Sequence, residues 1–233
     1  MLKNECAPSI LRALIIIELC LVFLYWVSLL PGEPNLTYTL FNLDGEANIP
    51  AWFSSSQLLL ICLMVWVAAL LGRSSDRPRR FSLLMMGALF LLLSLDETSQ
   101  VHEGVTASLG DRYVDWVPPL MLKHIEIPVV SLVLLLLLVR LVYPDLKAFW
   151  LWSRRKTLIA AAGILTYLSG ASLLETMGYE FIEKGTPLYR IEVCAEEFLE
   201  MLGASLILYT AISLVEERLK LGRREYLYRK SAT

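Results

Sequence analysis

The sequence has few of the residues from which disulfide scaffolds or thiol sites are built. Its four cysteines are scattered along 233 residues, and no two of them form a C-x-x-C pair. Three fall in or near apolar stretches, where a lone cysteine usually packs as a small hydrophobic residue. We therefore expect neither a disulfide framework nor thiol chemistry.

Long polar stretches are also missing. No polar run exceeds about twenty residues, so the sequence predicts no second, soluble domain. The first apolar stretch is too long for the core of a signal peptide and is not followed by an A-x-A cleavage motif. We expect it to remain as a membrane anchor, and residues 1–233 to form a single transmembrane domain.

Apolar residues are in large excess. They make up 56% of the chain, and the mean hydropathy is +0.57. A soluble domain of this length cannot bury so much apolar surface, which indicates a polytopic membrane protein. A membrane-spanning helix needs roughly 20 apolar residues, and six segments qualify. The predicted helices are 9–31, 51–72, 81–103, 119–142, 157–179 and 189–215.

Lysine and arginine are distributed unevenly between the connections of these helices. All but four of the 21 lie at the N-terminus, after the second and fourth helices, or in the tail. The six segments predict an all-α, six-helix bundle. The positive-inside rule then predicts that both of its termini lie in the cytoplasm. Most of the acidic residues lie on the opposite side, which favours cations there and argues against nucleic acid as a partner.

The richest polar motif closes the third predicted helix. Residues 96–103 read D-E-T-S-Q-V-H-E and follow a long apolar run. Asp96 and Glu103 share one helical face, because residues seven apart lie close in angle, and Glu97 and His102 flank that face. Ionisable groups at the end of a membrane helix need a partner, water or a metal ion.

Further ionisable groups are predicted at the same depth of the membrane. They are His124 and Glu126 on the fourth helix, Glu175 on the fifth, and Glu196, Glu197 and Glu200 on the sixth. His102 and His124 are the only histidines, and the hairpin of the third and fourth helices could bring them together. The remaining acids of this region, Glu180, Glu183 and Glu192, we expect to be solvated.

Two imidazoles among several carboxylates predict a site for a divalent metal: zinc, or alternatively iron or manganese. The predicted ligands are Asp96, His102 and His124, with Glu196 and Glu200 as further ligands or supporting groups. Such a metal generates hydroxide from bound water near neutral pH, and Glu97 or Glu103 would serve as the general base. The expected activity is hydrolysis of a lipid-like substrate at the outer leaflet, with membrane lipids as partners.

Other functions remain open. A cation or proton transporter also carries acids in a helix bundle, and Glu18 in the middle of the first helix is a group expected to be protonated, paired or functional. A non-catalytic subunit would instead use Asp96 and Glu200 as buried hydrogen-bond partners, with another membrane protein or a second copy of the chain. His102 and His124 could also ligate a haem, although the surrounding acids would repel its propionates.

The motifs carry two resemblances. Leu95-Asp96-Glu97 resembles the L-D-E segment of the alkaline ceramidase group, polytopic zinc amidases of lipids, which implies a metal-dependent hydrolase. This chain departs from that group's seven helices, from its histidine before L-D-E, and from its H-x-x-x-H pair, since Glu196 and Glu200 stand at that spacing here.

The D-E-x-x-x-x-H-E segment, together with E-E-x-x-E at residues 196–200, is similar to segments of bacterial six-helix membrane proteins. This second resemblance extends over most of the chain and implies the fold without an activity. It implies an integral protein of the bacterial inner (plasma) membrane, and the distribution of charge predicts that the polar pocket faces the non-cytoplasmic side.

Overall fold

The computed structural model describes residues 6–30, 35–72, 78–99, 133, 136–137, 139–140 and 143–231. Three predicted site residues, His102, Glu103 and His124, lie outside this set. So does most of the helix predicted at 119–142.

All regular structure in the described residues is helical, and this confirms the predicted all-α class for that part of the chain. The helices are α1 (Ala7–Ser28), α2 (Asn35–Phe41), α3 (Ile49–Leu71), α4 (Arg80–Ser99), α5 (Leu146–Trp152), α6 (Arg154–Leu168), α7 (Glu175–Phe181) and α8 (Pro187–Ser231). A 3-10 turn (Tyr143–Asp145) precedes α5, and a π-helical segment (Ser169–Leu174) joins α6 to α7.

Five helical stretches of the described residues are long and apolar enough to cross a membrane. They are α1, α3, α4, the run from α6 through the π-helical segment to Gly178, and α8 as far as Arg224. These stretches coincide with five of the six predicted helices. The count of six and the cytoplasmic position of the termini remain predictions.

Local capping groups determine where two of these helices begin. The Asn48 side chain accepts a hydrogen bond of 3.0 Å from the Ala51 amide, and Pro50 occupies the first turn of α3. Ser153 accepts one of 3.4 Å from the Lys156 amide at the start of α6. Because Asn and Ser satisfy amides that a helix leaves unpaired, both helices start earlier than their apolar runs suggest.

Helix α8 is much longer than its apolar segment. Its 45 residues extend over roughly 67 Å at about 1.5 Å per residue, more than twice the thickness of a bilayer core. We predicted an end at residue 215, where the apolar run stops. The helix continues to Ser231, since the following Glu, Arg, Lys and Leu residues are good helix formers and no proline interrupts them.

The long helix α8 is central to the packing of the bundle. It contacts α1, α3, α6, α7 and the π-helical segment, while α3 also packs on α4. The buried core joins Leu58, Ile61 and Cys62 of α3 to Ala204 and Leu208 of α8. Large apolar side chains on the other faces of the helices are exposed, as expected of surfaces that meet lipid.

The backbones of α6 and α8 touch where glycines face each other. A Cβ atom added to Gly203 would lie 2.5 Å from the Tyr167 amide nitrogen and 2.7 Å from the Gly163 carbonyl oxygen. No side chain fits there, so glycine permits the close approach typical of membrane helix pairs.

Two acidic residues of α8 hold the start of α1 and the end of α5. Glu216 Oε1 accepts hydrogen bonds from the Cys6 amide (2.6 Å) and the Ala7 amide (3.2 Å), the first amides of α1. Glu217 accepts a hydrogen bond from the Trp152 indole. A carboxylate at a helix N-terminus satisfies unpaired amides and the helix dipole together.

The next residue, Arg218, closes the end of α3. Its buried guanidinium donates to the carbonyl oxygens of Ala68 and of Pro78, the latter at 3.1 Å. A side chain at Gly72 would overlap this guanidinium. Arg218 therefore joins the C-terminal end of α3 to the residues just before α4.

The start of α4 and the 3-10 turn meet at the same end of the bundle. Asp145 is fully buried and accepts hydrogen bonds from Arg79 Nε (3.3 Å) and from Ser82 Oγ. We call this end, where α4 and α6 begin, the basic end. The opposite end, where α4 ends at Ser99 and α8 begins at Pro187, is the acidic end.

The glycine contact yields a stability prediction with a control on the same helix. We expect Gly203→Ala to destabilise the protein by about 1–3 kcal/mol, because the methyl group forces the α6 and α8 backbones apart. A Cβ at Gly222 meets nothing within 4 Å, so Gly222→Ala should leave stability unchanged or raise it by up to about 1 kcal/mol. Thermal unfolding in mild detergent, followed by circular dichroism, measures both. Equal midpoints for the two variants would contradict the close contact.

Candidate functional site

Carboxyl groups from three helices lie at the acidic end, all of them half-buried. They are Asp96 and Glu97 on α4, Glu175 at the start of α7, and Glu196, Glu197 and Glu200 on α8. The charges of Glu97 and Glu175 act on both Glu197 and Glu200. We call these six residues the acidic cluster. The sequence singled out all six, and four of them, Asp96, Glu97, Glu196 and Glu200, were predicted as ligands or base.

Tyr167 of α6 adds a hydroxyl group to the acidic cluster. This hydroxyl lies within electrostatic range of Glu200 on α8 and of Glu97 and Asp96 on α4. A phenol can donate or accept a hydrogen bond, so it can link carboxyl groups of different helices. Sequence reasoning missed Tyr167, because a single tyrosine in an apolar helix looks like a packing residue.

The π-helical segment presses against the carboxyl-bearing face of α8. A Cβ at Gly170 would lie 2.7 Å from both the Glu196 carbonyl oxygen and Glu200 Cγ. The wider π turn also rotates the side chains of α7 about the helix axis relative to those of α6. Glu175 follows directly after this segment. Such interruptions of membrane helices are frequent at functional sites. No pattern in the sequence pointed to this one.

Glu192 corrects one of our predictions. We expected it to be solvated, but it is only 8% exposed. Its carboxyl group fills the space beside Gly178, where an added Cβ would lie 2.6 Å from both carboxyl oxygens. Helix α7 covers Glu192 because glycine leaves room, and sequence position alone did not reveal this neighbour. Glu183, in contrast, is exposed as predicted.

A pair of serines places the end of α4 against α3. Ser55 Oγ donates to the Ser94 carbonyl oxygen at 2.8 Å, and Ser94 Oγ donates to the Ser55 carbonyl oxygen at 2.9 Å. Both residues are buried. This reciprocal contact lies two residues before Asp96 and so positions the α4 carboxyl groups of the acidic cluster.

The described carboxyl groups do not form a metal site on their own. No three His, Cys, Asp or Glu side chains within the described ranges come close enough to hold a metal ion. The predicted ligands His102 and His124 and the alternative base Glu103 lie outside those ranges. A metal at the acidic end would therefore need ligands from both parts of the chain.

A second polar group lies in the middle of the bundle. Glu18 Oε1 accepts hydrogen bonds from Ser205 Oγ (2.6 Å) and Gln57 Nε2 (3.0 Å), and Gln57 Nε2 also donates to Ser205 Oγ (2.8 Å). None of the three side chains is more than 1% exposed. We call them the core network. Glu18 was expected to need partners, but its partners on α3 and α8 became visible only in the fold.

These features define an all-helical protein with helices of membrane-spanning length and a carboxyl cluster at one end. Residues 13–215 match the family model described as Domain of unknown function (DUF8692), and the protein belongs to this family. The matched range contains the acidic cluster and the core network. No curated protein and no solved structure matches the chain significantly.

The contact between Gly178 and Glu192 can be tested by a double-mutant cycle. Gly178→Ala should destabilise the protein by about 1–3 kcal/mol, because its methyl group displaces the Glu192 carboxyl. In a Glu192→Ala background the same change should cost less, giving a coupling of about 0.5–3 kcal/mol. Thermal unfolding of the four proteins in detergent measures this, and purely additive effects would show that the two residues are not in contact.

Proposed function

We propose that this protein is a six-helix membrane protein that binds a divalent metal ion at its outer face and uses it to hydrolyse a lipid-like ester or amide. The observation that carries the proposal is that Asp96 and Glu97 of α4 and Glu196 and Glu200 of α8 lie half-buried at the same end of the bundle. In this proposal His102 and His124 complete the ligand set.

The direction of the helices supports a sixth crossing. Ser99 ends α4 at the acidic end, whereas Asp145 is bonded to Arg79 and Ser82 at the basic end. In this proposal the chain returns from one end to the other between these residues. The apolar segment 119–142 has the length and composition for that return.

The distribution of charge supports the orientation. All but four lysines and arginines of the sequence lie at the basic end or in the connections and termini assigned to it. The positive-inside rule then places the basic end and both termini in the cytoplasm. The acidic cluster faces the other side, which in a bacterial inner membrane is the periplasm.

The residue types of the site suit zinc, and also iron or manganese. Imidazole and carboxylate are ligands that these metals share. The metal would supply Lewis-acid activation of a bound water molecule. Glu97 is placed in the acidic cluster and would accept the proton of that water, with Glu103 as the alternative base. The Tyr167 hydroxyl could donate a hydrogen bond to an oxygen that becomes negative in the transition state.

Apolar residues beside the acidic cluster support a lipid-like substrate. Phe181 of α7 is 75% exposed, and Leu188 and Ile191 in the first turns of α8 are more than half exposed. Leu188 and Ile191 lie within the four residues before Glu192 on the same helix. An acyl chain could pack on such a surface while a headgroup carbonyl reaches the carboxyl groups.

Metal content tests the ligand assignment. Protein purified in mild detergent without a polyhistidine tag should contain nearly stoichiometric zinc, iron or manganese by elemental mass spectrometry. His102→Ala, His124→Ala and the pair Glu196→Gln/Glu200→Gln should each lose it. Glu183→Gln removes an exposed acid and is the matched control, which should keep full occupancy. Full occupancy in all the variants would show that the ligand assignment is wrong.

A second assay separates metal binding from hydrolysis. With lipid amides and esters as substrates, Glu97→Gln should keep the metal and lose rate by about 10²–10⁴-fold, as expected of a general base. An unchanged rate in Glu97→Gln and a strong loss in Glu103→Gln would transfer the role to Glu103. Bound metal without any hydrolysis would reject the enzyme and leave a metal-binding membrane protein.

A further inference from the structure

The core network is separate from the acidic cluster, and the proposed hydrolysis does not use it. Glu18 lies near the middle of α1, and Gln57 and Ser205 hold it from α3 and α8. We propose that Glu18 is a proton-binding site inside the membrane. It carries a proton on Oε2 at neutral pH, while Oε1 accepts the hydrogen bonds from its two partners.

The orientation of the Gln57 amide follows from its neighbours. Its nitrogen lies 3.4 Å from the Met201 carbonyl oxygen, which can only accept a hydrogen bond. The same nitrogen faces Glu18 Oε1 and Ser205 Oγ. The nitrogen must therefore point to this side, and the amide oxygen points away from it.

The arrangement leaves acceptors without donors. Glu18 Oε2 and Gln57 Oε1 are both buried and have no hydrogen-bond partner in the described part of the chain. The Ser54 hydroxyl, one turn from Gln57 on the same face of α3, is buried and unpartnered there as well. A proton on Glu18 Oε2 turns this acceptor oxygen into a hydroxyl group that can donate a hydrogen bond.

The surroundings of Glu18 do not compensate a negative charge. Its neighbours with an electrostatic or hydrogen-bond effect are the neutral Ser205 and Gln57, and among the described residues no Lys, Arg or His forms an ion pair with it. An ionised carboxylate that leaves water without a counter-charge is far more costly than a neutral acid.

A proton fits this site better than a metal cation. Hard cations such as calcium need about six to eight oxygen ligands, and magnesium about six. The side chains of the core network offer fewer oxygens than that, and Gln57 Nε2 directs a hydrogen toward Glu18 Oε1. The Gln57 amide hydrogen beside Glu18 Oε1 repels a cation but is compatible with a proton on Oε2.

The proposal makes the docking of α1 dependent on pH. The protonated network is neutral and joins three helices, whereas loss of the proton leaves a charge between them with neutral partners only. Stability from this site is therefore present at neutral pH and lost as the pH rises through the range in which Glu18 releases its proton. Glutamine is the neutral isostere of protonated glutamate, so Glu18→Gln should keep the network and remove the pH dependence.

Infrared spectroscopy tests the protonation state directly. The spectrum of wild type minus Glu18→Gln at neutral pH should contain the C=O band of a protonated carboxylic acid, shifted in D₂O. Wild type minus Glu183→Gln provides the control, since it exchanges an exposed carboxylate for the same amide. If both differences contain only carboxylate bands, Glu18 is ionised and the proposal is overturned.

Thermal unfolding in detergent gives a second, independent readout. Glu18→Gln should unfold at the wild-type midpoint near neutral pH and above it at alkaline pH, while Glu18→Ala should unfold lower at both. Failure of Glu18→Gln to fold, or a midpoint as low as that of Glu18→Ala, would show that the network needs a carboxylate. A sodium- or calcium-dependent rise in midpoint seen in wild type and absent in Glu18→Gln would assign the site to a cation and overturn the proposal. Neither readout depends on metal at the acidic cluster.

Discussion

The backbone contact between Gly163 and Gly203 is the interaction on which the candidate site depends. It brings α6 directly onto α8, and the chain that continues from α6 then carries Tyr167, Gly170 and Glu175 against the glutamates of α8. Close contact also excludes lipid and water from between these helices, so the carboxyl groups share a partly buried space. Without it the same carboxyl groups would be separate charges at helix ends, where water or headgroups would solvate them.

Helix α8 connects three polar systems at different depths. Near its start it carries the glutamates of the acidic cluster, in its middle Ser205 binds Glu18, and beyond its apolar segment Glu216 and Arg218 hold the ends of α1 and α3. Ser205 donates to Glu18 and Glu216 accepts from the amides of Cys6 and Ala7, so α8 satisfies polar groups that an apolar surrounding would otherwise leave unpaired. The order along α8 places hydrolysis, as proposed, at one end and the proton site in the interior, so the two can be altered independently.

Apolar length, the spacing of acids and the distribution of basic residues were sufficient to predict an all-α protein and to assign Asp96, Glu97, Glu196 and Glu200 to the same end of the bundle. The signal was strong because charged residues in apolar helices are costly and therefore sparse. The same approach treated Glu192 as solvated, did not single out Tyr167 and Gln57, and ended α8 at residue 215. For Glu192, Tyr167 and Gln57 the deciding factor was a neighbour from another helix. For α8 it was a polar tail of good helix formers, which a search for apolar segments does not detect.

The sequence by itself determined the helical class and the end of the bundle to which the acids belong, because hydrophobicity and helical periodicity are local properties of a chain. Only the tertiary structure decided which groups meet. The π-helical segment beside Glu200, the place of Glu192 behind Gly178, and the partners of Glu18 depend on the rotation of each helix about its axis and on its contact with another. That rotation is set by packing between residues far apart in sequence, such as Glu18 and Ser205. Patterns along the sequence therefore do not predict it.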